Sequence, residues 1–213
     1  MKELFKFSFV LGLVTGIAAY ALALVNQITQ PRIALQQQLT LNEGLYAVLP
    51  GSENGCIVED RLNDMNVFYR GYLNEDTTGF IGYAIPVSSK GYSSTIRTLV
   101  GLDSSKNIIS LKILFQQETP GLGTKCEEVR PGESYPWFQH QFNGCGATKV
   151  ALIKDGGSIQ SITGATITSA AITNGIRSFS QRLFNTLDTG STIQSITRAT
   201  ASGAMTMTNN NTK

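Results

Sequence analysis

The sequence predicts an α+β protein: an N-terminal transmembrane helix, then a domain with a mainly antiparallel twisted sheet flanked by helices. Three observations predict it. Phe7 to Val25 is a 19-residue stretch without a charged side chain. Residues 56–115 alternate β-forming runs with short polar turns. From Ser169 onward, apolar residues recur at the spacing of a helix.

The first element follows from length. A helix of 19 residues spans about 28 Å, close to the ~30 Å hydrocarbon core of a bilayer. Gly12, Gly16, Ala19 and Ala23 form a small-residue stripe of the kind that lets another membrane helix approach. Frequent Gly and Ala in membrane helices explain it equally well. A cleaved signal peptide is the competing reading, but the apolar run exceeds a usual signal core. Lys2 and Lys6 precede the span and only Arg32 follows closely. The positive-inside rule then places the N-terminus in the cytoplasm and the remainder outside. The membrane lipid is thus one expected partner.

A second helix is expected over Ile33–Leu49, continuing from the membrane with a break near Pro31 and ending at Pro50 and Gly51. Strands are expected at Val67–Tyr72, Gly79–Ile85, Ser94–Leu102 and Ile108–Phe115, with a polar turn at Asp103–Asn107. The stretch Glu118, Thr119, Pro120, Gly121, Leu122, Gly123 then breaks regular structure. Tyr135–Phe142 carries the only tryptophan, Trp137, which reads as a packing residue. Val150–Ile153 reads as a further strand. A closing helix runs to Leu187, weakened slightly by Gly175. The expected divisions are a cytoplasmic N-terminus at 1–6, an anchor at 7–27, an extracytoplasmic domain at 28–187 and a flexible Ser/Thr-rich tail at 188–213.

Composition excludes several classes. The 213 residues carry net charge +2 and no basic run, which argues against nucleic acid as a partner. Cys56, Cys126 and Cys145 form no CxxC pair, and His140 is the only histidine, so no metal site is expected. In an oxidising compartment Cys126 and Cys145 are candidates for a disulfide. A hydrolase lacks support, since no Gly-x-Ser-x-Gly elbow is present.

The segment Ser161–Ser169 carries the chemistry. It places hydroxyls around Gly164 where a turn-rich stretch opens into a helix. Such a place offers unpaired N–H groups and the positive end of the helix dipole, which suits a phosphate. Ser and Thr are also favoured helix caps, so the pattern alone is compatible with simple capping.

Thr163, Gly164, Ala165 and Thr166 resemble the flavinylation motif of the Rnf and Nqr ion-translocating oxidoreductases. Glu118–Gly123 with Lys125 resembles the flavin-contacting loop of the Rnf G subunit and the Nqr C subunit. Val48–Gly51 and Leu22–Asn26 match further family positions, and the order of motifs behind one membrane helix also matches. The resemblance covers about residues 1–187, and the short chain is more similar to the Rnf G subunit. It implies an FMN-binding domain with FMN joined covalently to Thr166 by a phosphoester. It implies flavin contacts from Thr163, Gly164, Ala165, Thr168, Glu118, Thr119, Gly121, Leu122 and Gly123, with Lys125 offsetting phosphate charge. Thr168 and Ser169 would cap the helix or bind phosphate oxygens. It also implies a place on the bacterial inner membrane, an electron carrier without independent turnover, no catalytic residues of its own, and other Rnf membrane subunits plus a flavin transferase as partners. The alternatives are the Nqr C subunit and a non-redox membrane-anchored assembly or binding domain. One departure stands out: the family pattern has Asp six positions before the modified Thr, where this chain has Gln160.

Overall fold

The computed structural model describes residues 2–63 and 66–207. It divides into two compact units, Met1–Glu43 and Gly44–Lys213.

Helix α1, Lys2–Val48, makes up the first unit and supplies the opening turn of the second. It is long and apolar enough to cross a membrane. Phe9, Leu11, Ile17 and Leu22 along it are exposed, an arrangement that lipid, unlike water, tolerates. The helix passes through Pro31 without the break expected there. Proline removes one rung of the hydrogen-bond ladder, and the turns on either side keep theirs. Just before it, the Thr29 hydroxyl donates to the Val25 carbonyl at 2.7 Å.

The second unit is built on a five-stranded antiparallel meander. Its strands are β1 (Ile57–Asn63), β2 (Asn66–Tyr72), β3 (Phe80–Lys90), β4 (Thr95–Leu102) and β5 (Ile108–Phe115), in the spatial order β1-β2-β3-β4-β5. The central pair runs from Tyr83 opposite Leu102 to Lys90 opposite Thr95. Connections of four to seven residues join β2 to β3, β3 to β4 and β4 to β5, as antiparallel neighbours permit. The last turn of α1 and Leu49 cover one face of the sheet. There Gly101 lets the Val48 carbonyl approach so closely that a Cβ would lie 2.0 Å from it. The opposite face carries Ile85, Val87, Ile96, Val100 and Leu102, which join Phe138, Phe142, Ile172, Ile176 and Phe184 in the main core. With both faces covered, β4 reads as an almost unbroken apolar run, Leu99 to Leu102, and not as an alternating one.

Helix α3, Thr166–Met207, packs across β3 and β4. Gly175 has a structural use there: a Cβ would fall 1.9 Å from Ser89 Oγ, so only glycine admits this helix–strand distance. The helical backbone continues past Leu187 to Met207, through a segment where composition argues for flexibility. No proline interrupts residues 188–207. Residues 208–213 lie outside those described.

Two further sequence expectations are corrected. Val150–Ile153 is not a strand. Leu152 makes one isolated bridge to Ile159, and residues 153–155 form a 3-10 turn. The Gly157 N–H folds back on the Leu152 carbonyl at 2.9 Å, so a tight turn satisfies the backbone instead of a sheet partner. The three cysteines are free thiols. Cys126 sits in the main core, where burial pushes its thiol up to about 12. Cys145 instead donates to the Gln141 carbonyl at 3.4 Å. Helix α2, Trp137–His140, buries Trp137 in the core beneath the Arg130 guanidinium, 3.9 Å from its ring. His140 is exposed and stacks on Tyr135 at 3.9 Å.

Candidate functional site

Three segments distant in sequence meet at one end of the domain, and Glu118 joins them. Its carboxylate accepts N–H bonds from Tyr92 (3.0 Å), Ser93 (3.1 Å) and Ser94 (2.9 Å), all in the β3–β4 turn. The Ser94 hydroxyl adds a fourth bond at 3.2 Å, and the Thr168 hydroxyl, on α3, a fifth at 2.5 Å. The residue is only 4% exposed. Burial pushes its pKa up, but the bonds from Thr168 and the three N–H groups outweigh it and hold the carboxyl below its ordinary value. Glu118 is thus a buried anion whose five donors tie the turn, the loop and the helix together. These bonds make it a framing residue of the cleft that it also lines.

The start of α3 is equally specific. The Ser169 N–H donates to the Ala165 carbonyl at 3.0 Å, which makes Ala165 the N-cap residue. Alanine has no side chain with which to cap. The hydroxyls expected to cap are used elsewhere. Thr168 donates to Glu118, while Ser169 Oγ accepts from the Ile162 N–H at 2.9 Å and donates to the Ala165 carbonyl at 3.0 Å. The N–H groups of residues 166–168 therefore open the helix without a protein acceptor among the described residues. Just before them, Gly164 takes φ 78°, a left-handed conformation that disfavours any side chain. A Cβ there would also lie 2.9 Å from Leu122 Cδ2. This turn exposes Thr163 and Thr166 while burying Thr168 and Ser169.

These segments line a cleft of about 480 Å³, formed by Tyr92, Glu118, Thr119, Leu122, Gly123, Gly164, Ala165, Thr166, Ile167 and Thr168. Eight residues expected from the sequence come together here. Thr163 and Gly121 belong to the same two loops but do not line the cleft, and Lys125 does not reach it. Tyr92 and Ile167 are additions that sequence reasoning misses. Tyr92 sits in a strand turn, and no periodicity marks such a position as a ligand wall. Gly123 is required where the loop meets the helix: a Cβ would lie 2.5 Å from Glu118 Cβ and 3.0 Å from Thr168 Oγ1.

The cleft pairs an apolar slot with an anion-friendly end. Tyr92, Leu122 and Ile167 expose large apolar surfaces around it, as a flat aromatic ring requires. The uncapped N–H groups and the Thr166 hydroxyl supply the phosphate end. These residues fit FMN.

The domain thus belongs to the class of membrane-anchored FMN-binding domains. Residues 91–181 match the FMN-binding domain model, and residues 1–48 match the model of the RnfG N-terminal region. The G subunit of the proton-translocating ferredoxin:NAD(+) oxidoreductase complex of Clostridium ljungdahlii is 31% identical over 76% of this chain and 81% of its own length. The G subunit of the ion-translocating oxidoreductase complex of Methanosarcina acetivorans is 29% identical over 83% of this chain and 93% of its own. Among solved structures, NqrC of Shewanella oneidensis aligns over 67% of this chain and 73% of its own, with TM-score 0.44 and 16% identity. The chain belongs to the G-subunit family of the Rnf ion-translocating oxidoreductase complexes.

Proposed function

We propose that this chain carries electrons within a membrane-bound ion-translocating ferredoxin:NAD oxidoreductase, with FMN joined to Thr166 Oγ1 through a phosphoester. One observation carries the reading. The exposed Thr166 hydroxyl stands at an uncapped helix start, on the rim of an apolar cleft, and no other group of the described residues engages it. A nucleophile that must be reached by a transferase has to be free in this way.

The other hydroxyls of the segment differ in availability. Thr168 and Ser169 are buried and hydrogen-bonded, and Ser161 is half-buried, which leaves Thr163 and Thr166 as the exposed hydroxyls there. Thr163 is exposed but lies outside the cleft. In the attachment, the Oγ1–P bond forms as the anhydride P–O bond of an activated flavin phosphate breaks, and the other half of the anhydride leaves as a phosphate anion with the bonding electron pair. The hydroxyl proton leaves to a base on the transferase. The bound flavin supplies one- and two-electron chemistry. The protein's own share is positioning: Leu122, Ile167 and Tyr92 wall the slot, and Glu118 fixes the segments that carry them.

In this reading the anchor holds the domain on the extracytoplasmic side of the membrane, and other subunits of the complex supply the donor and acceptor. Denaturing electrophoresis of the full chain, co-expressed with a flavin transferase, tests it. Fluorescent flavin in the protein band that vanishes in Thr166→Val supports the reading. An unlabelled wild-type band overturns the phosphoester, and an unlabelled band from a native protein that also holds no flavin favours a non-redox binding domain.

A further inference from the structure

A second cleft, about 320 Å³, also borders Thr166. Lys90, Lys154, Ala170, Ala171 and Asn174 line it, together with Thr166 and Ile167, which it shares with the first. Its charge is one-sided. It holds two lysines and no carboxylate. Neither lysine enters an ion pair among the described residues, whose salt bridges join Arg61 to Glu59 and Arg70 to Asp60. The two come from separate elements: Lys90 ends β3, and Lys154 lies in the 3-10 turn before α3. Asn174 accepts from the Arg177 guanidinium at 2.8 Å, which leaves its amide N–H groups available as donors.

We infer that this second cleft is the seat of the flavin phosphate, with Lys90 and Lys154 as its cationic contacts. The inference rests on the flavin reading above and adds the residues that recognise the phosphoryl group. The two clefts divide the ligand by chemistry. The first, walled by Tyr92, Leu122 and Ile167, takes the ring. The second takes the anion, and Thr166, common to both, sits where the two parts of FMN join. A phosphate seated there meets two ammonium groups beside Thr166 and Ile167 in the first turn of α3, a helix end that also favours negative charge. This also accounts for Lys125 standing apart from both linings: the phosphate charge is met by lysines that the sequence order hides.

The test compares FMN with riboflavin, which lacks the phosphate, on the full chain purified without transferase. Flavin fluorescence quenching reads the binding. FMN is expected to bind about tenfold more tightly than riboflavin at low salt, and the gap to narrow as salt rises. Lys90→Ala with Lys154→Ala should erase the preference and leave riboflavin binding unchanged, while Lys90→Arg with Lys154→Arg should keep it. Equal affinities in the wild type, absence of binding by either flavin, or a preference that survives the double alanine variant would each overturn the seat. Transferase labelling of the same preparations separates the two ideas. Normal labelling at Thr166 without a lysine-dependent preference sinks the seat alone. A lysine-dependent preference without labelling sinks the covalent reading and leaves a phosphate seat.

Discussion

Two sets of hydroxyls within seven residues, 163–169, have opposite fates. Thr168 and Ser169 are buried, and each is fully engaged, one by Glu118 and the other by the Ile162 and Ala165 backbone. Thr163 and Thr166 are exposed and unengaged. Composition alone makes the four interchangeable. The left-handed turn at Gly164 and the first turn of α3 decide which pair faces inward. The inward pair builds a frame, and the outward pair is left open to chemistry.

The largest effect should come from the outward set. Thr166→Val should remove all covalent flavin, read as visible absorbance of the denatured chain, and leave circular dichroism unchanged. Thr163→Ala should keep the label, because Thr163 lies outside the cleft. Equal loss in both would dissolve the distinction between them.

The inward set should respond in stability instead. Glu118→Ala strands three N–H groups and two hydroxyls, and should cost about 3 kcal/mol in the thermal unfolding of the detergent-solubilised full chain. Gly123→Ala pushes a methyl against Glu118 and Thr168 and should cost about 2 kcal/mol in the same assay. Wild-type stability from either variant would remove Glu118 from the frame.

Acid should separate the two sets as well. The folded Glu118 carboxyl lies below its ordinary value of 4.5. Its stabilisation is therefore complete above that ordinary value and is lost as pH falls through the lower, folded one. Unfolding midpoints followed from neutral pH down should show this loss in the wild type. Glu118→Gln should be less stable at neutral pH and should lack that part of the pH dependence. The smallest effect belongs to Ser169→Ala, about 1 kcal/mol, since it removes one hydroxyl that bonds only to backbone.

The membrane helix and the meander are legible in the sequence because each rests on a periodicity carried by many residues. The two cleft-forming loops are legible through their Gly, Pro and hydroxyl content. What escapes the sequence depends on tertiary approach. Tyr92 reaches the cleft because Glu118 holds the turn around it. Lys90 and Lys154 share a cleft although they lie far apart in the sequence. Glu118 itself is recognisable as a site residue, but its role is not. A loop carboxylate is usually solvated, and nothing local announces five donors from two other segments. Val150–Ile153 has strand-like residues, yet the turn at Gly156 and Gly157 folds it back first.

The central claim is that one hydroxyl of this segment, and no other, carries the flavin. Peptide fragmentation by mass spectrometry tests it most directly, on the full chain co-expressed with its flavin transferase. Trypsin releases residues 155–177, which contain both the inward and the outward hydroxyls. The account predicts an FMN phosphoester on Thr166, with Thr163, Thr168 and Ser169 unmodified. Flavin on Thr168 or Ser169 would contradict it, because those hydroxyls would then have to leave the frame they hold.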